Sequence, residues 1–136
     1  MLDTLKNPLS LIGRLFIALM FLPAGWGKLT SFAGNVAYTA SGGMPMPEVA
    51  TAVALVVEIV GSLALIFGFG TRWAALILAL FTLVASFFYH KYWGVPADQV
   101  MVTQLLFFKN MAIVGGLLTL AAWGAGAWSL DAKRGN

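Results

Sequence analysis

The chain of 136 residues has no cysteine and a single histidine, His90, and charged side chains make up only 10% of it. Without thiols it carries no internal thiol–disulfide relay, no thiolate metal site and no iron–sulfur cluster. One histidine excludes a haem held by two histidines of this chain, and no metal-ligand cluster is legible. Soluble domains usually carry about 25% charged residues. Eight basic and five acidic side chains are too few to solvate the surface of a 14.5 kDa globule. The basic residues are scattered rather than clustered, so the net charge of +3 does not point to nucleic acid. Gly-rich phosphate loops and nucleophile elbows are missing too.

Apolar sequence is what the chain has in excess: 60% hydrophobic residues and a mean hydropathy of +0.89. Four stretches approach the roughly 20 residues that cross a bilayer. They cover residues 9–29, 48–69, 73–90 and about 100–123. All are expected as helices, because an open strand edge cannot sit in lipid. The expected fold is therefore all-α, a four-helix integral membrane bundle forming a single domain over residues 1–136, with no room for an extramembrane domain.

Pro8 suits the first turn of the first helix, and Pro23 is expected to kink it. Its length and Arg14 distinguish the first stretch from a signal peptide. Phe32 to Ser41 is expected as a short helix at the membrane interface, ended by Gly42 and Gly43. Asp98, after Pro96, is expected to cap the fourth span. Lys6, Arg72, Lys133 and Arg134 fall on one side of the membrane, with Arg14 close by, and Lys28 and Lys91 on the other. The positive-inside rule then puts both termini in the cytoplasm.

Ionisable residues inside spans are costly and usually face the bundle interior. Helical spacing puts Arg14, Ala18, Phe21, Gly25 and Lys28 on one face of the first helix. On the second helix Thr51, Ala54, Glu58, Gly61 and Ser62 form a stripe of small and polar residues that lets helices approach closely. The third carries Ala75, Ala79, Thr82, Ser86 and Tyr89, with His90 at its end. On the fourth, Lys109 shares a face with Ala112 and Gly116, beside Asn110. Counted from the helix ends, Glu58 and Lys109 lie at comparable depth, which suggests that they pair; Arg14 is the alternative partner of Glu58. Arg14 and Lys28 also have a plain reading as side chains that reach the headgroups, and His90 as an interface residue. Lys28, Glu58, His90, Lys109 and Asn110 make up the candidate polar interior or ligand site. Arg14, Arg72 and Asp131 are candidates for structural or docking roles.

Three motifs resemble those of the DoxX family. Arg14 is followed by Gly25-Trp26-Gly27-Lys28-Leu29 and Phe32. Glu58-Ile59-Val60-Gly61 is followed by Gly68-Phe69-Gly70-Thr71-Arg72. The stretch Gly124-Ala125-Gly126-Ala127-Trp128-Ser129-Leu130-Asp131 resembles that family's closing Gly-x-Gly-x-x-Ser-Leu-Asp. The resemblance implies a multi-pass protein of the bacterial cytoplasmic (inner) membrane. It also implies a link to thiosulfate:quinone oxidoreductase subunits and to complexes that handle oxidative stress. On that reading the protein is a membrane subunit of an oxidoreductase system, and whether it is itself an enzyme stays open. Besides the lipid bilayer, the partners would be a quinone, a redox protein or a second copy of the chain. A carrier of small solutes or ions, and a non-catalytic scaffold for partner proteins, are the alternatives.

Overall fold

The computed structural model describes residues 2–135, and the regular elements among them are helical. Four helices are long and apolar enough to cross a membrane: α1 (Leu2–Thr30), α3 (Pro47–Phe67), α4 (Thr71–Tyr89) and α5 (Val100–Trp123). The short α2 (Phe32–Ser41) joins α1 to α3, on the stretch expected to be helical, and a four-residue α6 (Leu130–Lys133) follows α5. The fold is an all-α membrane bundle. Helix α3 packs on α1, α2 and α4, and α5 packs on α4.

Burial runs opposite to that of a water-soluble protein. Arg14, Thr51, Ser62, Thr71, Thr82 and Ser86 are buried, whereas Phe16, Trp73, Met101 and Trp123 are exposed, Trp123 to 86%. Such an apolar exterior suits hydrocarbon. The interior is packed by Ala18, Phe21, Leu65, Ala75, Leu78 and Leu117.

Helix α1 approaches α3 closely at Gly25. A Cβ there would lie 2.7 Å from Ile59 Cγ1 and 3.1 Å from Glu58 Cβ. This contact brings residue 25 of α1 level with residues 58–59 of antiparallel α3. Thr30, the end of α1, then comes level with about residue 54, and α3 projects roughly 10 Å beyond it. Helix α2 packs on the projection, where Thr51 Oγ1 donates to Thr39 Oγ1 at 2.9 Å.

Two boundaries differ from expectation. Helix α1 starts at Leu2 and runs unbroken through Pro8 and Pro23. Its early turns are held from outside the helix. Ser10 Oγ donates to Ala125 O at 2.8 Å, and Asn7 Oδ1 accepts from the amide of Ala127 at 3.2 Å. Asp98 does not cap α5; it sits in a 3-10 turn over Ala97–Gln99, and the N-cap residue of α5 is Gln99, without a side-chain bond.

Candidate functional site

The polar groups of the bundle gather at its two ends. At the end holding the α3–α4 turn, Arg14 is 1% exposed and donates to the carbonyls of Leu65 (2.7 Å), Ile66 (3.3 Å) and Trp128 (2.5 Å). It does not reach out to headgroups, because the carbonyls left free at the end of α3 lie within its reach. Gly68, at φ +66, ends α3 where a Cβ would collide with Ser129. Asp131 receives the amides of Gly70 (2.7 Å) and Thr71 (2.9 Å) at the start of α4. Burial opposes ionisation of Asp131, but the Thr71 and Gly70 hydrogen bonds and nearby Arg134 outweigh it and hold the carboxyl below its usual range. Arg72 Nε donates to Ala121 O at 2.8 Å near the end of α5. All three residues hold backbone ends in place here.

At the opposite end a cavity of about 580 Å³ opens among α1, α2, α3, α4 and α5. Its wall is mainly apolar, with Met20, Phe21, Val53, Ile77 and Phe81 among the lining residues. The five candidate residues Lys28, Glu58, His90, Lys109 and Asn110 all line it. Lys28 Nζ lies 2.9 Å from Glu58 Oε2 and 3.1 Å from Oε1. It is the one ion pair among the described residues, with the side chains 18% and 7% exposed.

Glu58 therefore meets neither Lys109 nor Arg14. Depth counted from helix ends assumed ends that are flush. Instead the Gly25 contact slides α1 along α3 and sets Lys28 one turn from Glu58, whereas α5, which carries Lys109, packs on α4. Lys109 lies near His90 and makes no ion pair among the described residues.

Asn110 is 5% exposed. Its Nδ2 donates to Ser86 Oγ at 3.1 Å, Ser86 donates to Thr82 O at 2.7 Å, and Thr82 donates to Leu78 O at 2.7 Å. Asn110 Oδ1 has no hydrogen-bond partner among the described residues.

Sequence reasoning missed the contribution of α2 to the cavity: Asn35, Tyr38 and Thr39 line it, and Tyr38 stacks on Tyr89 at 5.1 Å between centroids. The spacing of Asn35 and Thr39, four residues apart on an otherwise apolar helix, was the available signal. Among the described residues no cluster of three or more His, Cys, Asp or Glu side chains could hold a metal ion.

A small polytopic membrane protein results, locked by polar contacts at one end and hollow at the other. The DoxX family pattern matches residues 9–91, and the chain belongs to the DoxX family. It is 38% identical to the inner membrane protein YphA of Escherichia coli K12, over 92% of this chain and 89% of that protein. It is 39% identical to the inner membrane protein YqjF of the same organism, over 89% of this chain and 88% of that protein. A Surfeit locus protein 4 homolog of Schizosaccharomyces pombe is 27% identical over 91% of this chain, which spans 37% of that longer protein. No solved structure matches the chain.

Proposed function

We propose that the cavity holds a lipophilic molecule with a small polar head group, of the quinone class, and that the protein serves as a membrane subunit of an oxidoreductase system in a bacterial inner membrane. The carrying observation is the 580 Å³ space with apolar walls into which Lys28, Glu58, His90, Lys109 and Asn110 converge. Ligand sites combine such a wall with a few placed polar groups, in volumes of about 300–1,000 Å³. A head-group carbonyl would accept from Lys109, whose ammonium has no carboxylate partner among the described residues. The Lys28–Glu58 pair supplies a carboxylate able to exchange a proton with the reduced head group. A cysteine-free chain has no thiol relay of its own, which supports electron transfer through a diffusible molecule or a partner protein. The positive-inside bias of Lys6, Arg72, Lys133 and Arg134 supports an orientation with the locked end in the cytoplasm and the cavity towards the outer leaflet.

The test is binding of a short-chain benzoquinone to the purified protein in mild detergent. Wild type should bind it, and folded Lys109→Met and Glu58→Gln variants should bind it more weakly. Absence of binding by wild type, or equal binding by all three, overturns the assignment.

A further inference from the structure

We infer that the occupant of the cavity is an amphiphile whose head group carries a single negative charge, held by Lys109. This rests on the cavity being a ligand site, as proposed above, and adds the charge that the head group must bear.

Three charged residues line the cavity: Lys28, Glu58 and Lys109. Lys28 Nζ lies 2.9 Å from Glu58 Oε2, so those two cancel. With His90 neutral, one positive charge is left over, on Lys109. Among the described residues no carboxylate meets its ammonium. The side chain is exposed, so a molecule in the cavity can touch it.

Depth gives that surplus its weight. Helix α5 has 24 residues, about 36 Å, so it projects little beyond a hydrocarbon core of about 30 Å. Lys109 sits nine residues past Val100, the start of α5, which is about 14 Å along the helix. An ionised side chain at such depth is costly unless it is paired or faces a polar cavity. A neutral carbonyl would solvate the ammonium and leave its charge uncancelled. An anionic oxygen does both, and hydrogen bonds between ionised groups are shorter and stronger than neutral ones. A dianion would overshoot the single surplus charge. The walls, with Met20, Phe21, Val53, Ile77 and Phe81, offer little to a polar body, so the rest of the ligand is hydrocarbon. Two sources share this chemistry: the carboxylate of a fatty acid, and the ionised ring hydroxyl of a hydroxyquinone.

The test uses the purified full chain in a maltoside detergent at neutral pH, with native mass spectrometry or calorimetry as readout. One probe pair is dodecanoate and its methyl ester. The other is 2-hydroxy-3-octyl-1,4-naphthoquinone, which is ionised at this pH, and its 2-methoxy ether. Each pair differs in charge and little in the apolar body, and comparing variants probe by probe removes differences in micelle partition. Wild type should bind at least one of the anions. Lys109→Met should weaken that binding roughly 10-fold or more, as expected for a hydrogen bond to a charged group, and leave the ester and ether little changed. Lys109→Arg should keep the anion. Lys109→Gln takes the place of Lys109→Met should the latter not fold. The double variant Lys28→Met with Glu58→Gln, which removes the cancelled pair, should keep the anion as well. Binding of dodecanoate alone identifies the carboxylate source, and binding of the hydroxyquinone alone the quinone source. Wild type that binds the ester or ether but neither anion would overturn the charge inference and leave the cavity reading standing. Binding of none of the four probes, nor of the benzoquinone, would remove the cavity reading itself. Undiminished anion binding by a folded Lys109→Met or Lys109→Gln protein, or its loss in the folded double variant, would overturn the assignment to Lys109.

Discussion

Separating Lys28 from Glu58 should cost stability in a way that no other cation of the chain reproduces. The nitrogen lies 2.9 Å and 3.1 Å from the two carboxylate oxygens, between side chains 18% and 7% exposed. Breaking a buried pair by removing one partner costs about 3–5 kcal/mol, because a charge stays behind in low dielectric. The residual exposure of Lys28 puts the expected loss for Glu58→Gln or Lys28→Met near the lower bound, about 3 kcal/mol. The double variant has no stranded charge, so its loss should fall short of the sum by about 2 kcal/mol or more. Lys109→Met is the comparison: combined with Glu58→Gln it should be additive within about 0.5 kcal/mol. Reversible unfolding in mixed micelles, followed by far-ultraviolet circular dichroism, gives the free energies. Additive losses for Lys28 with Glu58, or strong coupling of Glu58 to Lys109, would refute the reasoning and with it the register of α1 on α3.

Gly25→Ala should destabilise by about 1–3 kcal/mol, since its Cβ would meet Ile59 and the α3 backbone in a tightly packed contact; Gly27→Ala, with open space around it, should be close to neutral in the same unfolding assay. Asp131→Asn should weaken the α4 cap. The wild-type carboxyl is held below its usual range, so its stabilisation is present above the ordinary carboxylate pKa and is lost as pH falls through the lowered folded-state value; the stability gap between wild type and variant, measured against pH, should close in acid, and a gap independent of pH would contradict this. A cytoplasm-dependent reporter fused to the C-terminus should be active, and a periplasm-dependent one silent; the reverse would invert the proposed orientation.

Composition made the spans legible, because few charges and four apolar runs leave a membrane bundle as the only economical fold. Small and polar stripes also identified the faces that turn inward: Thr51, Glu58 and Ser62 on α3, Thr82 and Ser86 on α4, are all buried. Pairings across helices were not legible. Glu58 and Lys109 looked level because depth was counted from helix ends, and only the approach at Gly25 reveals that α1 and α3 are offset. The start of α1 was misplaced for a related reason: residues before Pro8 are polar enough to read as a tail, yet contacts from the chain beyond α5 keep them helical. Arg14 looked free to reach the headgroups because a sequence does not display carbonyls, and it is the carbonyls of Leu65, Ile66 and Trp128 that receive it.

The lock at the end of the bundle also bears on the order of events during biosynthesis. Its bonds join residues far apart in the chain: Arg14 to Trp128, Ser10 to Ala125, and Gly70 and Thr71 to Asp131. Each needs residues made after the last spanning helix. While the ribosome is still translating α5, the first three spanning helices already exist, yet the Arg14 guanidinium lacks its bond to Trp128 and the leading amides of α4 lack their carboxylate. Until translation passes residue 131 the nascent bundle is therefore held by helix packing, the Lys28–Glu58 pair and the Arg14 bonds to Leu65 and Ile66, without the bonds to the C-terminal segment. A stalled or truncated product would expose an uncapped, charged helix end to the quality-control proteases of the membrane, whereas the finished chain hides it.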